Sequence, residues 1–303
     1  MTHVATLISN PGAAALDDAA LDRARKILPA PEAARWLAPA VAADLPFTPP
    51  GGNDQSNDDR AWAERLRASL GDRPIDAVVQ PRAGRRKRLL IADMDSTVIG
   101  QECIDELADC VGLKARVAAI TERAMRGDIA FEPALRERVA LLKDLPESAI
   151  EEVIAERIRV NPGAATLVAT MRANGAYTCL VSGGFTLFTA RIAALTGFDE
   201  NHANRLVIED GRLVGRVTEP ILGRAAKLAT LENLIARLEL RRAETLAVGD
   251  GANDLAMLQS AGLGVAYHAK PKVAAQAKAR IDHGDLTALL YIQGYRREEF
   301  VAA

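Results

Sequence analysis

The stretch RLLIADMDST, residues 88–97, joins an apolar run to two aspartates spaced two positions apart. The run predicts a buried strand, because uninterrupted apolar residues are typical of strands that are covered on both faces. Asp93 and Asp95 then lie in the loop at its carboxyl end, where parallel sheets bind ligands. One carboxylate could attack an electrophile there while the other carries protons. An acidic turn that is merely solvated would have the same sequence.

Three further apolar strands are predicted along the chain, at 177–181, 244–248 and 263–266. Helical patterns separate them, and this alternation predicts an α/β fold with a Rossmann-like parallel sheet and helices on both faces. The segment 103–160 interrupts the alternation because its pattern is helical throughout. We therefore expect that insertion to form a helical cap over the sheet.

The beginning of the chain has the pattern of a separate, small α/β unit. Its predicted elements are strands 3–9, 34–38 and 75–80 and helices 16–28 and 57–70. The stretch 45–59 is rich in turn residues and is predicted to be a loop, and the basic run 82–88 is interpreted as a solvated linker. These patterns predict an N-terminal domain at 1–84 and a second domain at 85–303.

Composition limits the classes of function. Of 303 residues, 38 are Lys or Arg and 40 are Asp or Glu, so the net charge of −2 gives no reason to expect a nucleic acid or membrane partner. Three scattered cysteines favour neither disulfides nor a zinc site and fit a reducing cytoplasm. No apolar run approaches the roughly 20 residues that span a bilayer. We expect a cytoplasmic protein.

A second acidic motif, VGDGAND at 248–254, also follows an apolar strand. Its side chains Asp250, Asn253 and Asp254 offer clustered oxygen atoms, which suit a hard cation such as Mg²⁺. A tight turn with a helix-capping residue would give a similar sequence.

Two more features could bind a phosphate group. In VSGGF, 181–185, a strand enters a helix and presents the Ser182 hydroxyl and the amide of Gly183. Lys227 lies on a predicted helix and could screen phosphate charge. Alone, the first feature is more typical of an ordinary strand-to-helix turn, and an isolated lysine on a helix is usually a solvated surface residue.

Together the four motifs resemble the haloacid dehalogenase superfamily. DMDST, VSGG, a lysine and GDGANDLAM occur in the order and strand context of that superfamily, and the resemblance covers roughly residues 88–291. It implies a phosphatase in which Asp93 attacks phosphorus and forms an aspartyl-phosphate, and Asp95 acts as general acid and then as general base. It further implies that Ser182, Gly183 and Lys227 bind the phosphate.

The same resemblance implies a cofactor, Mg²⁺. The Asp93 carboxylate, the Asp95 backbone carbonyl and Asp250 would hold the ion, and Asn253 and Asp254 would orient the surrounding ligands or waters. Asn253 would also contact the substrate.

The cap sequence resembles that of the phosphoserine phosphatase family, which releases serine in the last step of serine biosynthesis. By that resemblance Glu102 holds the substrate ammonium, Arg138 holds its carboxylate, and Met125 and Phe131 shield the site. A carboxylate and a forked guanidinium complement an amino acid on chemical grounds as well. Arg138 could instead be a surface charge that pairs with neighbouring glutamates.

Several interpretations stay open at this point. The substrate, a small molecule such as O-phospho-L-serine, could be replaced by another small phosphorylated amine or alcohol. A regulator with an inactive catalytic domain is a different class of function, although the intact Asp93, Asp95, Lys227 and Asp250 argue against it. The N-terminal unit resembles regulatory modules of the ACT type and could form a homodimer. If its role is only regulatory, deleting 1–84 should leave an active core.

Overall fold

The computed structural model describes residues 1–50, 59–126 and 128–302, without the side chains of Met125 and Arg126. The chain begins with β1 (His3–Ser9), α1 (Asp18–Ile27), β2 (Arg35–Ala38), β3 (Ala42–Phe47), α2 (Asp59–Leu70) and β4 (Ile75–Pro81). These strands form an antiparallel sheet in the order β2-β3-β1-β4. The connectivity is ferredoxin-like, which confirms the predicted small α/β unit.

Strand β3 corrects the prediction of a loop at 45–59. Its sequence, AADLPF, has low strand propensity, but it pairs along its length with β1, from His3 opposite Phe47 to Ile8 opposite Ala42. Cross-strand pairing and burial therefore override local preference. Residues 51–58 of the predicted loop lie outside the described residues.

The rest of the chain builds a six-stranded parallel sheet in the order β12-β11-β10-β5-β6-β7. In chain order its elements are β5 (Leu89–Ala92), α3 (Cys103–Cys110), α4 (Lys114–Arg126), α5 (Phe131–Ala140), α6 (Ser148–Glu156), α7 (Ala164–Ala173), β6 (Tyr177–Phe185), α8 (Thr186–Thr196), β7 (Glu200–Asn204), β8 (Leu206–Glu209), β9 (Arg212–Val217), α9 (Arg224–Arg237), β10 (Thr245–Gly249), α10 (Leu255–Ser260), β11 (Leu263–Tyr267), α11 (Pro271–Ala274), β12 (Ala279–Ile281) and α12 (Ala288–Tyr291). The predicted fold class is confirmed.

The packing of strand β5 explains why its sequence is an uninterrupted apolar run. Its alternate residues enter two different hydrophobic clusters: Leu90 and Ala92 pack on one face of the sheet, and Leu89 and Ile91 pack on the other. The outer strands β7 and β12 were not predicted. The first has the polar sequence ENHAN and the second has only three residues, so neither shows an apolar run.

The cap consists of helices α3 to α6 together with the hairpin β8–β9. Asp144 and Leu145, just after α5, exchange backbone hydrogen bonds of 2.8 and 2.9 Å with Leu213 of β9. Gly215 has φ +76°, and a Cβ there would lie 3.1 Å from the Cβ of Lys143. The hairpin therefore packs closely on the cap helices, an arrangement that the helical prediction for 103–160 did not include. Within the described residues, no helix is long and apolar enough to cross a membrane.

The N-terminal sheet and the larger unit share a hydrophobic interior. Ile8 of β1 and Val78 of β4 belong to the same buried cluster as Leu289 and Tyr291 of α12. The sheet thus packs its own helices on one face and the larger unit on the other.

Polar contacts reinforce this junction. The interpretation of 82–88 as a solvated linker is wrong for Arg85, whose side chain is 11 % exposed and pairs with Asp44 at 2.6 Å. Asp76 of β4 accepts backbone hydrogen bonds from Asp282 at 2.7 Å and Gly284 at 2.8 Å. Asp76 and Asp44 therefore both bind groups outside the N-terminal unit, and Asp44 also accepts a 2.8 Å hydrogen bond from the Thr6 hydroxyl within it.

Deleting residues 1–84 is consequently expected to give an aggregating product, because the apolar surface around α12 would become exposed. The measurement is soluble yield and thermal unfolding of 85–303 against the full chain. A milder test is Arg85→Ala, which leaves the buried Asp44 with the Thr6 hydroxyl but without its cationic partner and should cost about 3–5 kcal/mol. Arg86→Ala is the control, since its side chain is 48 % exposed. A soluble fragment as stable as the parent would contradict the shared interior.

Candidate active site

The loop after β5 directs two carboxylates to different partners. Residues Met94–Val98 form a tight turn, closed by a 3.0 Å hydrogen bond from the Ile99 amide to the Met94 carbonyl, and its backbone is extended at Asp95 (ψ 137°). Ser96 has φ +55° inside this turn. The Asp95 carboxylate accepts hydrogen bonds from the Cys103 amide at 3.1 Å and the Ser182 hydroxyl at 3.2 Å, whereas Asp93 turns toward Lys227. The two acids are thus free to have separate roles.

Lys227 lies between two carboxylates in the interior. Its Nζ is 2.7 Å from Oδ1 of Asp93 and 2.7 Å from Oδ1 of Asp254, and its side chain is only 1 % exposed. Burial alone would lower the pKa of Lys227, but the charges of Asp254 and Asp93 outweigh it and raise the pKa. The lysine is therefore a permanent cation beside Asp93.

Two glycines of the GDGAND motif make this arrangement sterically feasible. A Cβ on Gly249 would lie 2.5 Å from Cγ of Asp254, and a Cβ on Gly251 would lie 2.2 Å from Oδ1 of Asn253. Asp254 folds back over the turn, and its Oδ2 accepts the Gly251 amide at 3.0 Å. The glycines therefore allow Asp254 to reach Lys227.

The acidic groups fit a hard divalent cation. Carboxylate oxygens of Asp93, Asp250 and Asp254 lie within 4.8 Å of one another. Both oxygens of Asp254 are used by Lys227 and the Gly251 amide, so Asp93 and Asp250 are the better ligands. Burial and the charge of Asp254 raise the pKa of Asp250 to about 6. A cation would relieve this excess of negative charge.

A second group of metal-ligating side chains, Cys179, Glu200 and His202, lies at the edge of the sheet. Its carboxylate is already engaged, because Glu200 accepts hydrogen bonds of 2.6 Å from both Tyr177 and Arg237. The Arg237 charge opposes a bound metal ion there.

The end of β6 supplies a hydroxyl and backbone amides beside Asp95. Ser182 is fully buried, and its hydroxyl accepts the Gly184 amide at 2.8 Å while donating to Asp95. The structure therefore places Ser182 and the following glycines beside Asp95, and the predicted binding of phosphate by Ser182 and Gly183 stays a prediction.

Glu102 lies at the mouth of the site and accepts a 2.7 Å hydrogen bond from the Ser96 hydroxyl. Although Glu102 keeps solvent access, the surrounding protein partly desolvates its carboxylate. Together with the charges of Asp95 and Asp250, this raises the pKa of Glu102 to about 7. The carboxylates of Asp95 and Asp250 thus add negative charge around Glu102, a condition that favours an ammonium group.

Arg138 of α5 has no ion-pair partner among the described residues. It donates to the Ala134 carbonyl and the Thr121 hydroxyl at 3.3 Å each. Burial lowers its pKa, while Asp105, Glu102 and Asp95 are close enough for their charges to oppose this shift. Within the described part of the chain, it does not form the surface pair with a neighbouring glutamate that was the alternative interpretation.

Phe131, at the start of α5, reaches from the cap to the core. A Cβ on Gly183 would lie 3.2 Å from its Cζ, which places the ring directly against the loop at the end of β6. The side chain of Met125, predicted as its companion, lies outside the described residues. Asn253 lies in the GDGAND turn, beside the acidic group.

Sequence reasoning missed three contributors. Ser96 orients Glu102, Thr97 donates to Asp250 at 3.4 Å, and Asn204 bridges two core segments. The first two belong to DMDST, so the motif itself could have indicated them. Asn204 lies in the unpredicted edge strand β7, and no local pattern indicates it.

Comparison with known proteins agrees with this geometry. The profile of the family described as haloacid dehalogenase-like hydrolase matches residues 90–259. A protein of Polaromonas sp. (strain JS666 / ATCC BAA-500) named phosphoserine phosphatase is 47% identical over 208 residues, covering 67% of this chain and 88% of that protein.

Solved structures give the same family. A HAD family hydrolase from Salmonella enterica subsp. enterica serovar Typhi superposes with a TM-score of 0.83 at 29% identity, over 96% of this chain and 98% of that one. A substrate-bound phosphoserine phosphatase superposes with a TM-score of 0.64 at 39% identity, over 68% of this chain and 98% of that one. With its fold, its four motifs and its relatives in agreement, this chain belongs to the haloacid dehalogenase-like hydrolase family.

Proposed function

We propose that this chain is a phosphoserine phosphatase that hydrolyses O-phospho-L-serine to L-serine and phosphate. The observation that carries the proposal is the pair of opposite charges at the mouth of the site: the negative region around Glu102 and the guanidinium of Arg138, which has no ion pair within the described residues. A phosphorylated amino acid presents an ammonium and a carboxylate, the two groups that this pair would bind. The names of the relatives support the same substrate.

In the first step Asp93 attacks phosphorus, the bond to the seryl oxygen breaks, and Asp95 protonates that oxygen. The contacts of Asp95 with the Cys103 amide and the Ser182 hydroxyl hold its carboxylate in place for this transfer. Asp95 then removes a proton from water, which attacks the aspartyl-phosphate and releases phosphate. Lys227 neutralises charge beside Asp93 throughout, since it stays protonated.

The cofactor in this proposal is Mg²⁺, which Asp93, Asp250 and the Asp95 carbonyl would hold. When bound, it neutralises phosphate charge and orients the group for in-line attack. Asp254 contributes indirectly, since it fixes Lys227 and the Gly251 amide. Ser182 and the Gly183 amide bind phosphate oxygens, and the cap, with Phe131, excludes bulk water.

Removing the metal is expected to abolish turnover, and adding Mg²⁺ should restore it. Ca²⁺ alone should inhibit, because its larger and looser coordination shell misplaces the attacking carboxylate. The measurement is phosphate release after chelation and dialysis against each ion. Full activity with Ca²⁺ alone would contradict the assigned ligands.

Substrate choice is tested by Mg²⁺-dependent phosphate release from L-phosphoserine, phosphothreonine and phosphoethanolamine. We expect the highest kcat/KM for L-phosphoserine. Phosphoethanolamine lacks the carboxylate that Arg138 would bind, and phosphothreonine carries both charges but adds a methyl group. A clear preference for phosphoethanolamine would instead identify another small phosphorylated amine as the substrate. No release from any phosphate ester would favour a regulator without catalysis.

A further inference from the structure

Two residues outside the catalytic motifs, Asn204 and Gly223, lie where Phe131 of the cap meets the core. Gly223 precedes α9, the helix that carries Lys227, and Asn204 ends the edge strand β7. Neither belongs to the four motifs or to the residues that contact the phosphate in the proposed mechanism.

The Asn204 side chain joins two separate segments of the core. It is 3 % exposed, and its Nδ2 donates to the Gly183 carbonyl at 2.9 Å and to the Leu222 carbonyl at 3.2 Å. Its Oδ1 accepts the Leu222 amide at 2.6 Å. One side chain thus sets the spacing between the phosphate-binding loop and the segment that begins Lys227's helix.

Phe131 occupies the space that this spacing creates. A Cβ on Gly183 would lie 3.2 Å from Cζ of the ring, and a Cβ on Gly223 would lie 3.2 Å from its Cδ1. Both distances are shorter than ordinary carbon contacts, so a methyl group at either position would push the ring by a few tenths of an ångström. Gly223 has φ −104°, an angle open to any residue, so its backbone gives no other reason for glycine.

We propose that Gly223 and Asn204 are positioning residues that form a seat for Phe131 and so hold the cap closed over the site. This inference rests on the proposed function only for its substrate. Gly223 supplies the space, and Asn204 keeps Gly223 and Gly183 at the distance that fits the ring. The seat connects closure of α5 with the geometry of the phosphate-binding loop.

The test is a double-mutant cycle between the seat and the ring. Gly223→Ala should lower kcat/KM for L-phosphoserine by about tenfold, the effect of one added methyl group in a packed contact. In a Phe131→Ala background, which removes the ring, the same substitution should change kcat/KM by less than about twofold. Equal losses in both backgrounds would overturn the proposal, since the substitution would then act on something other than Phe131.

A second measurement does not depend on the substrate. Amide hydrogen exchange in α5 of the protein without substrate should become faster in Gly223→Ala, because an unseated ring lets the cap open more often. In the Phe131→Ala background the two exchange rates should match. Unchanged exchange in Gly223→Ala would overturn the proposed seat, whereas changed exchange in a protein inactive toward L-phosphoserine would reject only the proposed substrate.

Asn204 is tested in the same two backgrounds. Asn204→Asp keeps the size but places a carboxylate oxygen against the carbonyls of Gly183 and Leu222, so we expect faster exchange in α5 and a lower kcat/KM. The loss should be smaller in the Phe131→Ala background. Thermal unfolding of each variant identifies general damage to the fold, and exchange unchanged in a folded Asn204→Asp protein would remove Asn204 from the seat.

Discussion

Replacing Asp93 by Asn should lower turnover by at least about 10⁴-fold, because an amide oxygen is a poor nucleophile and no phosphoenzyme can form. The fold should survive. Lys227 keeps its 2.7 Å contact with Asp254, and the substituted side chain still offers an oxygen to the Met94 amide. The measurements are steady-state phosphate release and thermal unfolding. Turnover near the parent level would reject Asp93 as the nucleophile.

Asp95→Asn is the matched comparison, two positions along the same loop. With p-nitrophenyl phosphate, whose leaving group departs without protonation, this variant should release a burst of p-nitrophenolate and accumulate phosphoenzyme, since only hydrolysis of the intermediate needs its base. Asp93→Asn should give no burst. The kcat/KM of the Asp95 variant should fall further with L-phosphoserine than with the aryl ester. Equal losses of kcat/KM on both substrates would remove Asp95 from the acid role.

Replacing Arg138 by Ala should cost on the order of 2–5 kcal/mol of transition-state binding for L-phosphoserine, the range for losing one partner of a desolvated charge pair. Lys should rescue poorly, because a point charge does not reproduce the fork of the guanidinium. Phosphoethanolamine lacks the carboxylate, so its kcat/KM should change little. The measurement is kcat/KM for both substrates and for p-nitrophenyl phosphate.

Two further variants make the comparison specific. Glu102→Gln should weaken both amine substrates, because both carry the ammonium group. Arg136→Ala should leave kcat/KM unchanged for all three substrates, since Arg136 lies on the same helix but pairs with Glu219 at 2.7 Å. A uniform loss across the three substrates in Arg138→Ala would mean that Arg138 supports the cap or the phosphate, not the amino-acid carboxylate.

The sequence alone determined the four central strands of the parallel sheet and the edge of the sheet at which its acids meet. Buried parallel strands have apolar residues on both faces, so β5 and β10 appear as continuous runs, and the acids that follow them must meet at one edge of the sheet. For that reason Asp93, Asp95 and Asp250 could be placed at one site without coordinates. The edge strands β7 and β12 and the weak strand β3 could not, because pairing with neighbours stabilises them more than their own composition does.

Tertiary structure decided the contacts between segments distant in the chain. The shared interior of the N-terminal unit and α12, the Arg85–Asp44 pair and the packing of the hairpin on the cap have no local signature, since each depends on surfaces that meet only after folding. The same holds for Asn204, whose role depends on Gly183 and Leu222 lying on either side of it. A motif determines which residues follow one strand, but the side chain that joins two strand ends can come from a distant part of the chain and is brought there only by folding.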